Sequence, residues 1–291
     1  MTSTSVPWAA ETVGVPSGRR RWLRRYLLAA IGGIIIVFWL IIMAVGPYFA
    51  PFAPNDVDVL TRLKPPSSTH WFGTDVLGRD ILSRILLGTR ISLPAGFTVV
   101  IIGGAFGTLF GGIAAFTGHK AEEVMMRLTD LFLSFPPLIL AMAIAAALGV
   151  GTLNTILAMV VVWWPKYARL GRSVVIQQRE LEYVQAARVL GFSPGRILFR
   201  HIAPNAIGPL IVLLTLDVGQ AIITFAGLSF LGLGVVPPAP EWGAMVSEGR
   251  VLIDQWWVSA FPGVAIFTVV MGFNFLGDGI RDWLDPKARL R

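Results

Sequence analysis

Polar residues embedded in long apolar stretches are the features of this 291-residue chain most able to do chemistry. Asp217 lies eleven residues into an apolar run that begins at residue 206, and Gln220 follows within the next turn. A carboxylate inside a bilayer is costly unless it is paired, hydrated or protonated. Two interpretations stay open: the two residues line a route for a polar solute, or Asp217 lies near the membrane interface and bonds to a neighbouring helix. Asn274 and Asp278 end the last apolar run, where a helix terminus explains them.

Catalytic and nucleotide-binding motifs are absent from the sequence. No Lys follows a Gly, which excludes the GxxxxGK[ST] phosphate loop. His70, His119 and His201 lie in separate loops, and neither an HExxH motif nor a Ser-His-Asp set occurs in the apolar runs. The chain has no cysteine, which excludes disulfides and thiol catalysis. We therefore predict that the chain is not an enzyme and that it binds neither a metal nor a cofactor itself.

The composition is that of an integral membrane protein. Hydrophobic residues make up 55% of the chain, and charged residues make up 14%, against about 25% in soluble domains. A net charge of +7 is compatible with nucleic-acid binding, but the basic residues lie at the ends of apolar runs, as in membrane proteins. The predicted surroundings are therefore membrane lipid, with no nucleic-acid partner.

Six apolar runs predict an all-α membrane protein with six transmembrane helices, each of about 20 residues. They cover residues 26–48, 91–117, 131–151, 152–169, 206–236 and 257–280. The first run follows five arginines, as in a signal peptide, but it exceeds the about 7–15 residues of a signal-peptide core, which predicts an uncleaved span. The fifth is too long for one straight helix, and its glycines predict a bend or a re-entrant end near residues 227–237.

Charge asymmetry predicts the orientation. With the N-terminus inside, 18 of the 24 Lys and Arg residues lie in or beside the inside segments, in agreement with the positive-inside rule. The predicted organisation is a disordered cytoplasmic N-terminus over 1–25, a first span with an outer segment over 26–90, a core transmembrane domain over 91–280 and a cytoplasmic tail over 281–291. The core domain contains a cytoplasmic loop over 170–205.

Two spacing patterns bear on packing. In the outer segment, Asp80 and Arg84 stand one helical turn apart, which predicts an ion-paired amphipathic helix at the outer interface, more a scaffold than a substrate contact. In the second span, glycines recur every fourth residue and allow close approach of another helix. These are Gly103, Gly107 and Gly111. A pore or partner interface and packing within one subunit both fit this row.

Residues 182–205, between the fourth and fifth spans, contain the start and stop residues of two short helices. We name this segment the elbow. Gly191 fits the C-terminus of the first helix, because Gly enters the left-handed region cheaply. Ser193 is a typical N-cap with Pro194 at the first helical position, and Pro204 predicts the end of the second helix. The pattern favours a docking surface for a soluble partner over an ordinary cytoplasmic loop with an amphipathic helix.

The elbow resembles the EAA loop of ABC-importer permeases, which docks into a groove on the ATPase subunit. The family pattern is Glu-Ala-Ala, three residues, Gly, nine residues, then Ile-x-Leu-Pro. This chain keeps the small residues, the Gly and the Pro at that spacing, and has Gln185, His201 and Ala203 in place of Glu, Ile and Leu. The resemblance implies ATPase docking by Glu182, Gln185, Ala186, Ala187, Gly191, Phe192, Ser193, Arg196, His201 and Pro204.

Further segments are similar to the peptide and nickel branch of these permeases, most closely to the C-type subunit of oligopeptide and dipeptide importers. They are HWFGTDVLGRDILSRILLGTRISL, LSFLGLG and LGDGIRDWLDP. Such motifs run from about residue 70 to the C-terminus, and the first 25 residues show no such likeness.

This resemblance implies a type I importer permease in the bacterial inner membrane, with both termini cytoplasmic. The implied partners are a homologous second permease, which shares the translocation path, two ATP-binding subunits that hold ATP and Mg²⁺, and an extracellular substrate-binding protein. The implied cargo is peptide, with glutathione-like molecules or nickel complexes as the alternative. A secondary transporter is the competing class, but a single intramembrane acid and no obvious repeat argue against it.

Overall fold

The computed structural model describes residues 18–117 and 119–284, which fold into helices without a β-strand. The helices are α1 (Gly18–Phe49), α2 (Ile81–Ala114), α3 (His119–Leu133), α4 (Pro137–Leu148), α5 (Thr152–Arg179), α6 (Glu182–Val189), α7 (Pro194–Arg196), α8 (Ala203–Phe230), α9 (Trp242–Gly249) and α10 (Trp257–Leu284). Residues 18–25, predicted as part of a disordered tail, begin α1. The rest of that predicted tail, and most of the C-terminal one, lies outside the described residues.

Within the described part of the chain, α1, α2, α8 and α10 are long and apolar enough to cross a membrane. α3 and α4 pass the same test as a pair, but they meet at 88°. The predicted third span, 131–151, straddles this bend, because Pro136 and Pro137 cannot continue α3. The predicted fourth span corresponds to α5, whose C-terminal half carries four cations and is less apolar. The described residues therefore contain four candidate spans, or five with the bent pair, and six remains a prediction.

α2 packs along α5 through its glycine row. A Cβ atom at Gly107 would collide with the main-chain carbonyl of Trp164, and one at Gly111 would collide with that of Ala168. In the opposite direction, a Cβ at Gly171 of α5 would lie 2.6 Å from a carbonyl oxygen of α2. The two backbones are therefore in direct contact, and the glycine row serves packing within this chain.

The predicted helix at the outer interface does not form as a separate element. α2 begins at Ile81 and continues without a break into the apolar stretch. Asp80 caps α2, because its carboxylate accepts the main-chain N–H of Ser83 at 2.8 Å. The same carboxylate lies 2.9 Å from Nδ1 of His70. The predicted pairing of Asp80 with Arg84 is therefore wrong: Asp80 is a helix cap, and Arg84 has other partners.

A buried network of four charged residues holds the end of α2 that is opposite to the elbow. Arg79 and Arg84 are only 3% and 1% exposed. Arg79 donates to Asp75 at 2.6 Å and to both carboxylate oxygens of Glu248, while Nε of Arg84 lies 3.5 Å from Asp75. Two guanidinium groups face two carboxylates, which offsets the cost of burying charge. This network ties the segment before α2 to α9.

The chain beyond α8 folds back into the bundle, as its glycines predict. α8 ends at Phe230, and Trp242, at the start of α9, is fully buried against α2. Glu241 is also fully buried, and its carboxylate accepts the N–H groups of Gly243 at 2.9 Å and Ala244 at 2.8 Å. It therefore serves as the N-cap of α9.

Glu241 leads to a prediction about pH. Burial raises the pKa of its carboxyl, although the N–H groups of Gly243 and Ala244 oppose the shift. The folded state therefore favours the protonated acid. This contribution to stability is complete below the ordinary glutamate pKa and is lost as the pH rises through the raised value. As the pH rises above the ordinary glutamate pKa, thermal unfolding of the detergent-purified chain should be less pH-dependent in Glu241→Gln than in wild type. Identical pH profiles would contradict the prediction.

Arg90 joins α2 to α1 where α1 has lost main-chain hydrogen bonds. Pro47 lies inside α1 and lacks the N–H that would bond to the carbonyl of Met43. The guanidinium of Arg90 donates to that carbonyl at 2.9 Å and to the carbonyl of Ala44 at 2.8 Å. The side chain of α2 therefore replaces a bond that the proline removes.

We expect Arg90→Ala to lower the free energy of unfolding by about 1 kcal/mol, because the carbonyl of Met43 then loses its donor and Pro47 cannot supply another. The measurement is thermal unfolding in detergent. Arg127→Ala is the control, since it breaks an exposed pair with Glu123 and should cost less than about 0.5 kcal/mol. Equal losses in the two variants would show that Arg90 does not hold α1.

Candidate docking surface and translocation path

The first helix of the elbow, α6, ends as the sequence predicts. Gly191 has φ +79°, in the left-handed region that Gly adopts without strain. Its N–H donates to the carbonyl of Arg188 at 2.9 Å, and the N–H of Phe192 donates to that of Ala187 at 3.1 Å. These two bonds form a Schellman motif, which satisfies carbonyls of the last turn. The turn after α6 is therefore a defined structure.

The second helix of the elbow begins as predicted but ends differently. The side chain of Ser193 accepts the N–H of Arg196 at 3.4 Å, with Pro194 at the first helical position. The predicted stop at Pro204 is wrong, because residues Ile197–Ile202 form a π-helix that leads directly into α8. The π-helix changes the hydrogen-bond register, so Pro204 falls in the first turn of α8, where its missing N–H is tolerated.

The elbow has a small apolar core, distinct from that of the helix bundle. Its residues come from the elbow and from the adjoining ends of α2 and α5. They are Ala115, Val175, Val184, Ala187, Ile197 and Ile202. Arg179, at the end of α5, reinforces the junction by donating to the carbonyl of Ala115 at 3.1 Å. The elbow is therefore packed as one body with the ends of two long helices.

The ten residues predicted to dock differ in exposure. Ala187 is buried in the elbow core, and Phe192 and His201 are half-buried. The exposed members are Glu182, Gln185, Ala186, Gly191, Ser193, Arg196 and Pro204. The Phe192 ring contacts both the guanidinium of Arg196, at 5.4 Å, and the ring of His201, at 5.7 Å. Ala187 and Phe192 therefore shape the elbow, and the exposed group forms its surface.

Sequence reasoning missed the apolar part of this surface. Val189, Leu190 and Phe199 are 88%, 73% and 59% exposed. Large apolar side chains that are exposed on a structured segment indicate contact with another molecule. The signal is in the sequence, because Val189 and Leu190 are adjacent at the end of a short helix where polar residues are usual.

Asp217 is paired within the chain. Nζ of Lys166 lies 2.6 Å from its Oδ2, and the hydroxyl of Tyr167 donates to the same oxygen at 2.5 Å. The Asp217 residue is 8% exposed, whereas Gln220 is exposed. The structure thus brings Asp217 into contact with α5 and leaves Gln220 on the exposed side of α8. In the sequence Lys166 merely interrupts the fourth apolar run, so its partnership with a residue 51 positions away is hidden.

Two further cations follow Lys166 along α5 towards the elbow, and each pairs with an acid of α3. Arg169 lies 2.7 Å from Asp130, and Arg172 lies 2.6 Å from Glu122. The cleft between the helices is lined by Glu122, Glu123, Met126, Arg127, Asp130, Arg169 and Arg172. Three acids and three cations balance there, so the elbow half of α5 has a polar environment.

Two family models match this chain. One, described as binding-protein-dependent transport system inner membrane component, matches residues 107–290. The other, described as N-terminal TM domain of oligopeptide transport permease C, matches residues 19–66. The second match extends the likeness into the N-terminal region, where the sequence motifs showed none.

Curated relatives and a solved structure agree with these matches. The chain is 47% identical over 262 residues to the probable D,D-dipeptide transport system permease protein DdpC of Escherichia coli (strain K12), covering 90% of this chain and 88% of the relative. It is 44% identical to the dipeptide transport system permease protein DppC of Alkalihalophilus pseudofirmus, with 92% and 88% covered. It is 42% identical to the glutathione transport system permease protein GsiD of Pectobacterium atrosepticum, with 93% and 90% covered.

The fold matches a chain from inward-facing conformations of the MetNI methionine ABC transporter, with a TM-score of 0.59. That match covers 69% of this chain and 96% of the solved chain, at 19% identity. The chain belongs to the binding-protein-dependent transport system inner membrane components, the permease family of ABC importers. The resemblance drawn from the elbow and the three motifs is thereby confirmed.

Proposed function

We propose that this permease carries peptides, and that it forms the translocation path together with a homologous second permease. The elbow supports coupling of this transport to an ATP-binding subunit, because it is a defined helical turn with exposed apolar residues that packs against the ends of α2 and α5. The names of the relatives support short peptides as cargo, and the glutathione permease supports a glutathione-like molecule as the alternative.

The proposed topology has six crossings, by α1, α2, the α3–α4 pair, α5, α8 and α10, with both termini in the cytoplasm of a bacterium. The exposed apolar side chains of α1 would contact lipid; Ile34, Val37 and Ile41 are all more than half exposed. The polar environment of α5 is compatible with a crossing that contacts neighbouring helices more than lipid.

The proposed mechanism uses the elbow as a lever. Two ATP-binding subunits would hold ATP and Mg²⁺, and this chain would hold no cofactor of its own. Closure of those subunits would move the elbow, and the shared core would carry the movement to α2 and α5. Within the elbow, the π-helix Ile197–Ile202 joins α7 to α8 without a flexible loop. A substrate-binding protein would deliver cargo at the opposite end, and Asp217 and Gln220 would belong to the path.

The test is uptake by proteoliposomes that contain this chain, its second permease and both ATP-binding subunits. Radiolabelled dialanine is supplied with the cognate binding protein. Uptake that requires both ATP and the binding protein supports the proposal. Uptake driven by a proton or sodium gradient without ATP would overturn it in favour of a secondary transporter.

A further inference from the structure

The Lys166–Asp217 pair lies halfway along both of the helices that supply it. Lys166 is at the middle of α5 (Thr152–Arg179), and Asp217 is at the middle of α8 (Ala203–Phe230). The pair therefore lies at the same level in two neighbouring helices that are long enough to cross the bilayer. Asp217 lies inside the stretch of α8 that is apolar enough to cross a membrane, where an ionisable side chain is costly and is a candidate functional group.

The two members of the pair differ in accessibility. The side chain of Asp217 is 11% exposed, and both Lys166 and the Tyr167 hydroxyl bond to its Oδ2. The side chain of Lys166 is 32% exposed. An incoming molecule would therefore meet the ammonium group before the carboxylate.

The surroundings of the ammonium leave it capacity for another acceptor. Nζ of Lys166 lies 4.6 Å from the ring centroid of Trp163 and 5.5 Å from that of Tyr167. These aromatic rings attract the ammonium group, but they do not use up its N–H donors as an oxygen acceptor would. An ammonium has three donors, and Asp217 takes one of them.

The neighbouring cations of α5 differ from Lys166. Arg169 and Arg172 pair with acids of α3 and lie beside the balanced, charged cleft. Lys166 instead faces α8, whose open side carries Gln220, an exposed amide one turn beyond Asp217. Along α8, the carboxylate that holds this partly exposed ammonium and the exposed amide of Gln220 are three residues apart.

We infer that Lys166 binds the carboxylate of the cargo during passage, with Asp217 and Tyr167 as positioning residues that hold its ammonium group. This inference rests on the proposed function, which supplies a path beside α8 and a cargo with a free carboxylate. Because Asp217 competes for the same ammonium, the contact is weak enough to release the cargo, which conduction through a path requires.

The test compares two probes, dialanine and dialanine amide, in the same reconstituted four-subunit complex with saturating binding protein. The amide lacks the carboxylate charge. For each probe, uptake by a variant is divided by uptake by wild type, so that selection by the binding protein cancels. Lys166→Met should lower the dialanine ratio about tenfold or more, as for loss of one hydrogen bond to a charged group, and should change the amide ratio much less.

Three further variants separate binding from structure. Lys166→Met alone leaves the Asp217 carboxylate buried without its cation, so the double variant Lys166→Met/Asp217→Asn removes both charges and should show the same selective loss. Arg169→Met removes a neighbouring cation of α5 and should affect the two probes equally. Lys166→Arg, which keeps the charge, should retain the preference for the free acid.

The outcomes are distinct. Equal losses for dialanine and its amide in both the single and the double variant would make Lys166 a structural tether and overturn the inference, while the proposed function would stand. Absence of ATP-dependent uptake of either probe by the wild-type complex would overturn the proposed function and this inference together.

Discussion

Replacing Val189 and Leu190 together by aspartate is expected to abolish association with the ATP-binding subunits while membrane insertion and pairing with the second permease persist. Both side chains are more than 70% exposed at the end of α6, so their replacement removes little packing inside the chain. Burial of each in a partner's groove would contribute about 2 kcal/mol, so the double variant should weaken binding about a thousandfold. Co-purification and quantification of the ATP-binding subunits measure the effect.

The choice of these positions separates docking from folding. Ala187→Trp or Gly191→Pro would also impair docking, but Ala187 is buried in the elbow core and Gly191 needs a left-handed φ, so both changes deform the elbow itself. The matched control is Val251→Asp, because Val251 is 76% exposed in the segment after α9, away from the elbow. Normal recovery of ATP-binding subunits with the Val189/Leu190 variant would mean that this apolar surface does not dock.

Gly111→Ala is expected to disrupt the contact between α2 and α5, although it adds a single methyl group. The added Cβ would collide with the carbonyl of Ala168, and a main-chain atom cannot rotate away as a side chain can. Separating the helices should cost about 1–3 kcal/mol or more, which outweighs the gain of about 1 kcal/mol from replacing Gly by Ala in a helix. Lower yield of folded protein and a lower thermal midpoint are the expected observations.

Gly112→Ala is the matched control, one residue along the same helix. Its Cβ would lie 3.7 Å from a side-chain carbon of Val175, which is ordinary van der Waals contact. The variant should be as stable as wild type or slightly more stable, because only the helix preference of Ala remains. Equal stability of the Gly111 and Gly112 variants would contradict the close packing of α2 on α5.

Local patterns in the sequence predicted the parts of the structure that depend on local geometry. Gly191 and Ser193 mark the turn and the cap of the elbow, since both arise from conformations of one or two residues. The glycine row of α2 likewise predicted a close helix contact, although it did not identify α5 as the partner. The prediction that Pro204 ends the second helix was wrong, because a π-helix precedes this proline and the helix continues through it.

Ion pairs between residues far apart in the chain could not be predicted from local sequence patterns. Arg84 has a nearby acid in Asp80, but in the fold it approaches Asp75 and Glu248, the latter 164 positions away. Asp217 looked solitary because Lys166 lies on another helix. In both cases the buried charge itself was a signal that a partner must exist, yet only the packing of the helices decides which one.

The most direct measurement is affinity purification of the tagged chain from its native membranes, followed by quantitative mass spectrometry of the recovered subunits. We expect one second permease and two ATP-binding subunits for each copy of this chain. When Val189 and Leu190 are replaced, the ATP-binding subunits should be lost and the second permease should still be recovered. A lone chain or a homodimer that transports solute after reconstitution without ATP would contradict the assignment as an importer subunit.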